Sequence, residues 1–167
     1  MAELRADMLD PDEQYLIRSF PEPAGMPTIL TVRRTVDGGY WAEGEGARMV
    51  LLAKGLAFAD SDPRKNFAFV DLEDNLGVQS VEEAARAFGT RIIRSRHDIG
   101  GTPADCESIL ASLPHHPDEI PKLAVRPGGV EDRAGLAGEH GYLRCQSLQL
   151  LDHVGARPVR GSLRGAL

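Results

Sequence analysis

Only two cysteines, Cys106 and Cys145, occur in the chain. They lack metal-ligand spacing and the density of a disulfide framework, so both are expected to be reduced thiols, with no metal site built on them. No apolar run approaches the roughly 20 residues that a membrane span needs. The acidic N-terminal stretch also lacks the pattern of a signal peptide. A soluble, cytoplasmic protein without a membrane partner is therefore expected. The net charge of −6 disfavours a general nucleic-acid or anionic-membrane surface. No Gly-x-Gly-x-x-Gly follows any strand-like segment, which argues against a nucleotide cradle. Lysine is the scarcest charge, three against sixteen arginines, and that arginine surplus leaves an anionic small-molecule site open.

What is present is a repeated alternation of strand-like and helix-like segments, in a chain whose 167 residues suit one sizeable core. The pattern predicts strands at Ala2–Met8, Thr28–Arg33, Phe67–Leu72, Arg91–Ser95 and Lys122–Val125. Helices are predicted at Asp10–Phe20, at Glu45–Phe58 with Met49, Val50, Leu51, Leu52 and Leu56 as its apolar positions, from a Ser80 cap to Phe88, at Thr102–Leu113, and over most of Gly129–Leu151. Gly89 is expected to stop its helix. Such alternation implies an α/β fold with a parallel sheet. Polar residues gather at strand ends or alternate along strands, which suits a barrel whose chemistry lies at the carboxyl ends of its strands. A complete eight-stranded barrel usually takes about 250 residues. About five strand–helix units are visible, so a partial (β/α)8 TIM-type barrel is expected. Residues 1–154 would form this incomplete barrel, and residues 155–167 a Gly/Arg-rich, poorly ordered tail.

Two stretches carry chemical information. Ile120-Pro121-Lys122-Leu123-Ala124-Val125 sets a lysine in an apolar run, where burial would favour a neutral, nucleophilic amine; alternatively the side chain snorkels past Pro121 to solvent. Arg94-Ser95-Arg96-His97-Asp98 ends a strand with a histidine able to act as general acid and base, or simply to cap the following loop. Arg33 could pair a substrate carboxylate through its planar fork, with Arg34 pointing away to solvent. Glu3, Arg5, Asp7, Asp71 and Glu73 could form a paired charged layer inside a barrel, or the alternating salt bridges of an exposed edge strand. His115, His116, His140 and His153 have no ligand-like spacing and are assigned to the surface.

Taken in order, Glu3-Leu4-Arg5-Ala6-Asp7, Thr31-Val32-Arg33 with Asp37-Gly38-Gly39, Val70-Asp71-Leu72-Glu73, Ser95-Arg96-His97-Asp98 with Thr102-Pro103, and the Lys122 stretch resemble type I 3-dehydroquinate dehydratase. This resemblance implies a (β/α)8 barrel of the shikimate pathway. It also implies an imine formed by Lys122 with a substrate ketone, His97 as general acid and base, and Arg33 holding the substrate carboxylate. Glu3, Arg5 and Asp37 would contact or orient the anionic substrate, 3-dehydroquinate. No metal or diffusible cofactor is implied, and a homodimer is compatible with the reading. Asp37 stands where the family usually has glutamate. The resemblance begins at what corresponds to the second barrel strand. Beyond Pro127 it finds no match to the seventh and eighth strands or to the family's later arginine, so a chain truncated at both ends is expected. Two alternatives remain open at this point: a non-catalytic barrel fragment serving as an interaction or regulatory module, and an imine-forming barrel of the aldolase type.

Overall fold

The computed structural model describes residues 1–57, 62–113 and 116–128. Among these residues five parallel strands form one sheet in sequence order: β1 (Ala2–Arg5), β2 (Thr28–Thr31), β3 (Phe69–Glu73), β4 (Arg91–Asp98) and β5 (Ile120–Val125). Between them lie α1 (Pro21–Ala24), α2 (Glu45–Leu56), α3 (Gln79–Ala87) and α4 (Cys106–Ser112). Sequential parallel pairing with intervening helices is the strand order of a TIM-type barrel, here a partial one. Among the described residues no helix is long and apolar enough to cross a membrane.

Strand alternation gives the two sheet faces different jobs. Leu4, Leu30, Val32, Val70, Leu72 and Ile92 belong to the buried core, with Leu51, Leu52 and Leu56 of α2 and Val81 and Ala85 of α3. Gly55 brings α2 close to the sheet: a Cβ there would stand 2.5 Å from Leu30 Cδ2 and 3.0 Å from Ile17 Cγ2. The opposite face carries the polar residues of the candidate site.

Several local expectations are corrected. The segment after Asp10 is not one helix but a 3-10 helix, Gln14–Ser19, leading into α1, because Pro21 and Pro23 interrupt the ladder of amide donors. Ala2–Arg5 is strand, whereas Ala6–Met8 turns as a 3-10 helix. Ser80 is not a cap: α3 starts at Gln79, with Val78 at the N-cap position and no side-chain cap. Thr102-Pro103 precedes the helix it was expected to begin; Asp105 caps α4 by accepting from the Ser108 amide at 2.9 Å. Val50 is 56% exposed, because the buried stripe of α2 runs through Arg48, Leu51, Leu52, Gly55 and Leu56. Gly89 does end its helix, at φ +74°. The predicted helix over Gly129–Leu151, the tail, His115, His140, His153 and Cys145 lie outside the described residues.

Candidate active site

Register decides which side chains meet. Thr31 pairs with Asp71, Glu73 with Ser95, and Ser95 with Lys122. Counting in twos from these positions brings Glu3, Arg5, Asp71, Glu73, Ser95, His97 and Lys122 onto one face. β4 runs on to Asp98, three residues further than its apolar pattern suggested, so His97 lies within the ladder, opposite Ala124.

Asp71 is the hub of this face. Its fully buried carboxylate accepts from Lys122 Nζ at 2.8 Å and from Ser95 Oγ at 2.5 Å, and pairs with Arg33 Nη2 at 3.0 Å. Arg33 Nη1 in turn reaches Glu73 Oε1 at 2.8 Å, Ser95 Oγ at 3.3 Å and His97 Nδ1 at 3.0 Å. Arg48, on α2, holds the other oxygen of Glu73. The Lys122 side chain is only 11% exposed. It therefore does not snorkel past Pro121, and the desolvation expected from the sequence is opposed by a buried counter-charge.

These contacts set the protonation states. Burial pushes the Asp71 carboxyl upward, but Arg33, Lys122 and the Lys122 and Ser95 hydrogen bonds outweigh it and hold the group well below the usual carboxylate range. His97 is lowered to about 3, first by burial and then by Arg33, with Lys122 and Arg5 adding and Asp71 opposing. Its ring is thus neutral near pH 7. A guanidinium only donates, so Nδ1 accepts from Arg33 and the ring proton resides on Nε2.

The remaining candidates flank this cluster. Glu3 accepts from Thr31 Oγ1 at 2.7 Å. Arg5 binds Asp7 through two bonds of 3.0 and 2.7 Å, and Asp7 also accepts from the Tyr40 amide. Asp37 is gripped by Arg34 at 2.6 Å, so Arg34 is not the solvent arginine expected; it also donates to Asn75 and lies 3.7 Å from Glu45. The Asp37 loop folds back on Arg33: the Trp41 amide donates to the Arg33 carbonyl at 3.0 Å, and a Cβ on Gly39 would stand 2.5 Å from the Arg33 carbonyl carbon. Beneath the polar layer a cavity of about 320 Å³ is lined by Glu3, Ile29, Phe69, Ile93, Ile120 and Lys122, among others. Among the described residues no group of His, Cys, Asp and Glu is arranged to hold a metal ion.

The family model for type I 3-dehydroquinase matches residues 1–138. The chain belongs to the type I 3-dehydroquinase family. The 3-dehydroquinate dehydratase of Methanosarcina acetivorans is 32% identical over 139 residues, covering 78% of this chain and 55% of the relative. That of Methanocaldococcus jannaschii is 33% identical over 139 residues, covering 79% and 57%. The crystal structure of the 3-dehydroquinate dehydratase from Aquifex aeolicus VF5 shares the fold with a TM-score of 0.56 at 24% identity, over 80% of this chain and 59% of that one. The chain thus spans a little over half the length of the curated relatives it matches.

Two members of this dehydroquinase-family cluster escaped sequence reasoning. Ser95 opens the Ser95-Arg96-His97-Asp98 motif, yet only strand pairing with Lys122 shows that it shares the Asp71 carboxylate. Arg48 had a legible signal: it occupies the first position of the i, i+3, i+4, i+7 stripe that buries α2, where an arginine must find partners.

Proposed function

We propose that this chain carries the dehydratase chemistry named for its relatives, converting 3-dehydroquinate to 3-dehydroshikimate and water in the shikimate pathway of aromatic amino-acid biosynthesis. One observation carries the reading. Lys122 and Arg33 share one buried carboxylate, Asp71, and His97 lies 3.0 Å from Arg33. A potential nucleophile, an anion binder and an acid/base group are thus linked through adjacent contacts.

In this reading the Lys122 amine adds to the substrate ketone while His97 takes a proton from its nitrogen, and His97 returns that proton to the adduct's hydroxyl, which leaves as water to give an imine. The imine acts as an electron sink for the carbanion that forms when His97 removes the neighbouring proton. The resulting enamine expels the hydroxyl, which leaves as water with the proton returned by His97. Hydrolysis of the imine then releases product and restores Lys122. Arg33 pairs the substrate carboxylate, while Glu3, Arg5 and Asp37 orient the substrate and the reacting pair. In the free protein Arg33 occupies the Nδ1 lone pair of His97. Moving that guanidinium toward a carboxylate frees the nitrogen to accept a proton, so binding of the anion and readiness of the base are coupled.

The assay follows appearance of the conjugated enone on incubation with 3-dehydroquinate, with borohydride reduction to trap the imine. Turnover together with a covalent adduct, both lost in Lys122→Ala, supports the proposal. Turnover that survives Lys122→Ala refutes the mechanism, and a folded chain with neither turnover nor adduct refutes the activity. A second reading, an interaction module built on a partial barrel, draws on the largely apolar cavity at Ile29, Phe69, Ile93 and Ile120. A folded, monodisperse chain without turnover favours it.

A further inference from the structure

Arg48 has no place in the chemistry above, yet its buried guanidinium is bound on all three nitrogens. It is fully buried on α2. Nε donates to the Val32 carbonyl at 2.7 Å, Nη1 binds Glu45 Oε2 at 3.1 Å, and Nη2 binds Glu73 Oε2. Val32 is the residue before Arg33, and Glu73 Oε1 is the carboxylate oxygen that holds the Arg33 tip at 2.8 Å. Arg48 therefore grips Arg33 from both ends, through the backbone at its base and through a shared carboxylate at its head. Glu45, on the outer side of Arg48, lies 3.7 Å from Arg34, which binds Asp37. Alternating charges thus run without a break from Asp37 through Arg34, Glu45, Arg48, Glu73, Arg33 and Asp71 to Lys122.

We infer that Arg48 is a positioning residue for the dehydroquinase-family site: by neutralising the far side of Glu73 it fixes the Arg33 guanidinium against Asp71 and beside His97. In its kinetic consequence the inference rests on the function proposed above. Its structural consequence does not. A buried carboxylate with two arginines, one on each oxygen, is balanced; with Arg48 removed it draws Arg33 toward itself and away from the histidine.

The experiment follows the His97 ring by NMR across pH in the wild-type chain, in Arg48→Met, in Arg48→Gln and in the double variant Arg48→Met/Glu73→Gln. The charged groups acting on that ring are Arg33, Asp71, Lys122 and Arg5. Displacement of Arg33 removes the nearest cation, so the His97 midpoint in Arg48→Met should rise by about one pH unit or more. The double variant abolishes the unbalanced carboxylate and should return the midpoint most of the way. If Arg48→Met fails to fold, Arg48→Gln, whose amide can still donate to Val32, serves in both single and double form. With 3-dehydroquinate as the probe, KM should rise roughly tenfold in the single variant with kcat changed far less, and Glu73→Gln should restore it. An unmoved midpoint in folded single variants overturns the inference. So does a double variant displaced as far as the single one, which would leave Arg48 only its grip on Val32. A chain without turnover defeats the proposed reaction but leaves the midpoint to decide the role of Arg48.

Discussion

Replacing Asp71 by Asn keeps the shape of the hub and removes its charge. Two cations, Lys122 at 2.8 Å and Arg33 at 3.0 Å, then face an amide. With an effective dielectric of about 20, each contact represents about 6 kcal/mol of attraction at those distances, set against a desolvation cost of several kcal/mol per ion. Glu73 still holds Arg33, whereas Asp71 is the carboxylate bound to Lys122. The net loss on breaking such a buried pair is about 3 to 5 kcal/mol. Urea unfolding at neutral pH should show it as a lower midpoint with an unchanged slope. The pH dependence supplies an internal control. The folded-state pKa of Asp71 is depressed, so its stabilisation is present above the unfolded value near 3.8 and fades as pH falls from there through the lower folded value. The gap between wild type and Asp71→Asn should therefore be widest near pH 7 and shrink as the medium is acidified below about pH 4. A variant within about 0.5 kcal/mol of wild type at pH 7, or a gap that does not narrow in acid, would refute the view of Asp71 as the charge that holds Lys122 and Arg33 together.

His97 supplies a second pH test. Its folded pKa of about 3 lies below the ordinary 6.5, so between those values the unfolded chain binds the extra proton and stability falls as pH falls. His97→Gln should remove that part of the acid sensitivity, flattening the stability profile between pH 6.5 and 3, as read from urea midpoints. An unchanged slope across that window counts against a buried neutral ring. Ser95→Ala should cost about 1 kcal/mol by deleting one donor to Asp71 while leaving its two cations, measured by the same unfolding series. Gly55→Ala should destabilise by up to about 2 kcal/mol: the clash with Leu30 and Ile17 costs about 1 to 3 kcal/mol, and the better helix propensity of alanine returns about 1. A variant more stable than wild type would show that the α2–sheet contact is slack.

The strands were the most legible part of this chain, because apolar runs punctuated by polar turns mark them locally. Their ends were less so: His97 reads as lying beyond the apolar run of Arg91–Ser95, yet pairing with β5 carries the ladder through it. The region after Asp10 misled because an acidic residue followed by proline resembles a helix start, while Pro21 and Pro23 further along confine the chain to short turns. On α2 the apolar positions Leu51, Leu52 and Leu56 are buried and Met49 packs against the core, but Val50 is exposed and the stripe starts at a charge, Arg48, which an apolar count passes over.

Residue types and their order alone were enough to point to the family and to the nucleophile, acid/base and anion-binding candidates, because each depends on a side chain's own chemistry: an amine in an apolar run, an imidazole, a planar guanidinium. Which groups answer one another was decided only by the tertiary structure. Asp71 stands 51 residues from Lys122, and Arg33 stands 64 from His97. Parallel register puts each pair on one face, and burial there makes every charge depend on its neighbour. No local pattern encodes that dependence, since a carboxylate's partner is set by which strands lie side by side and not by which residues adjoin it in sequence.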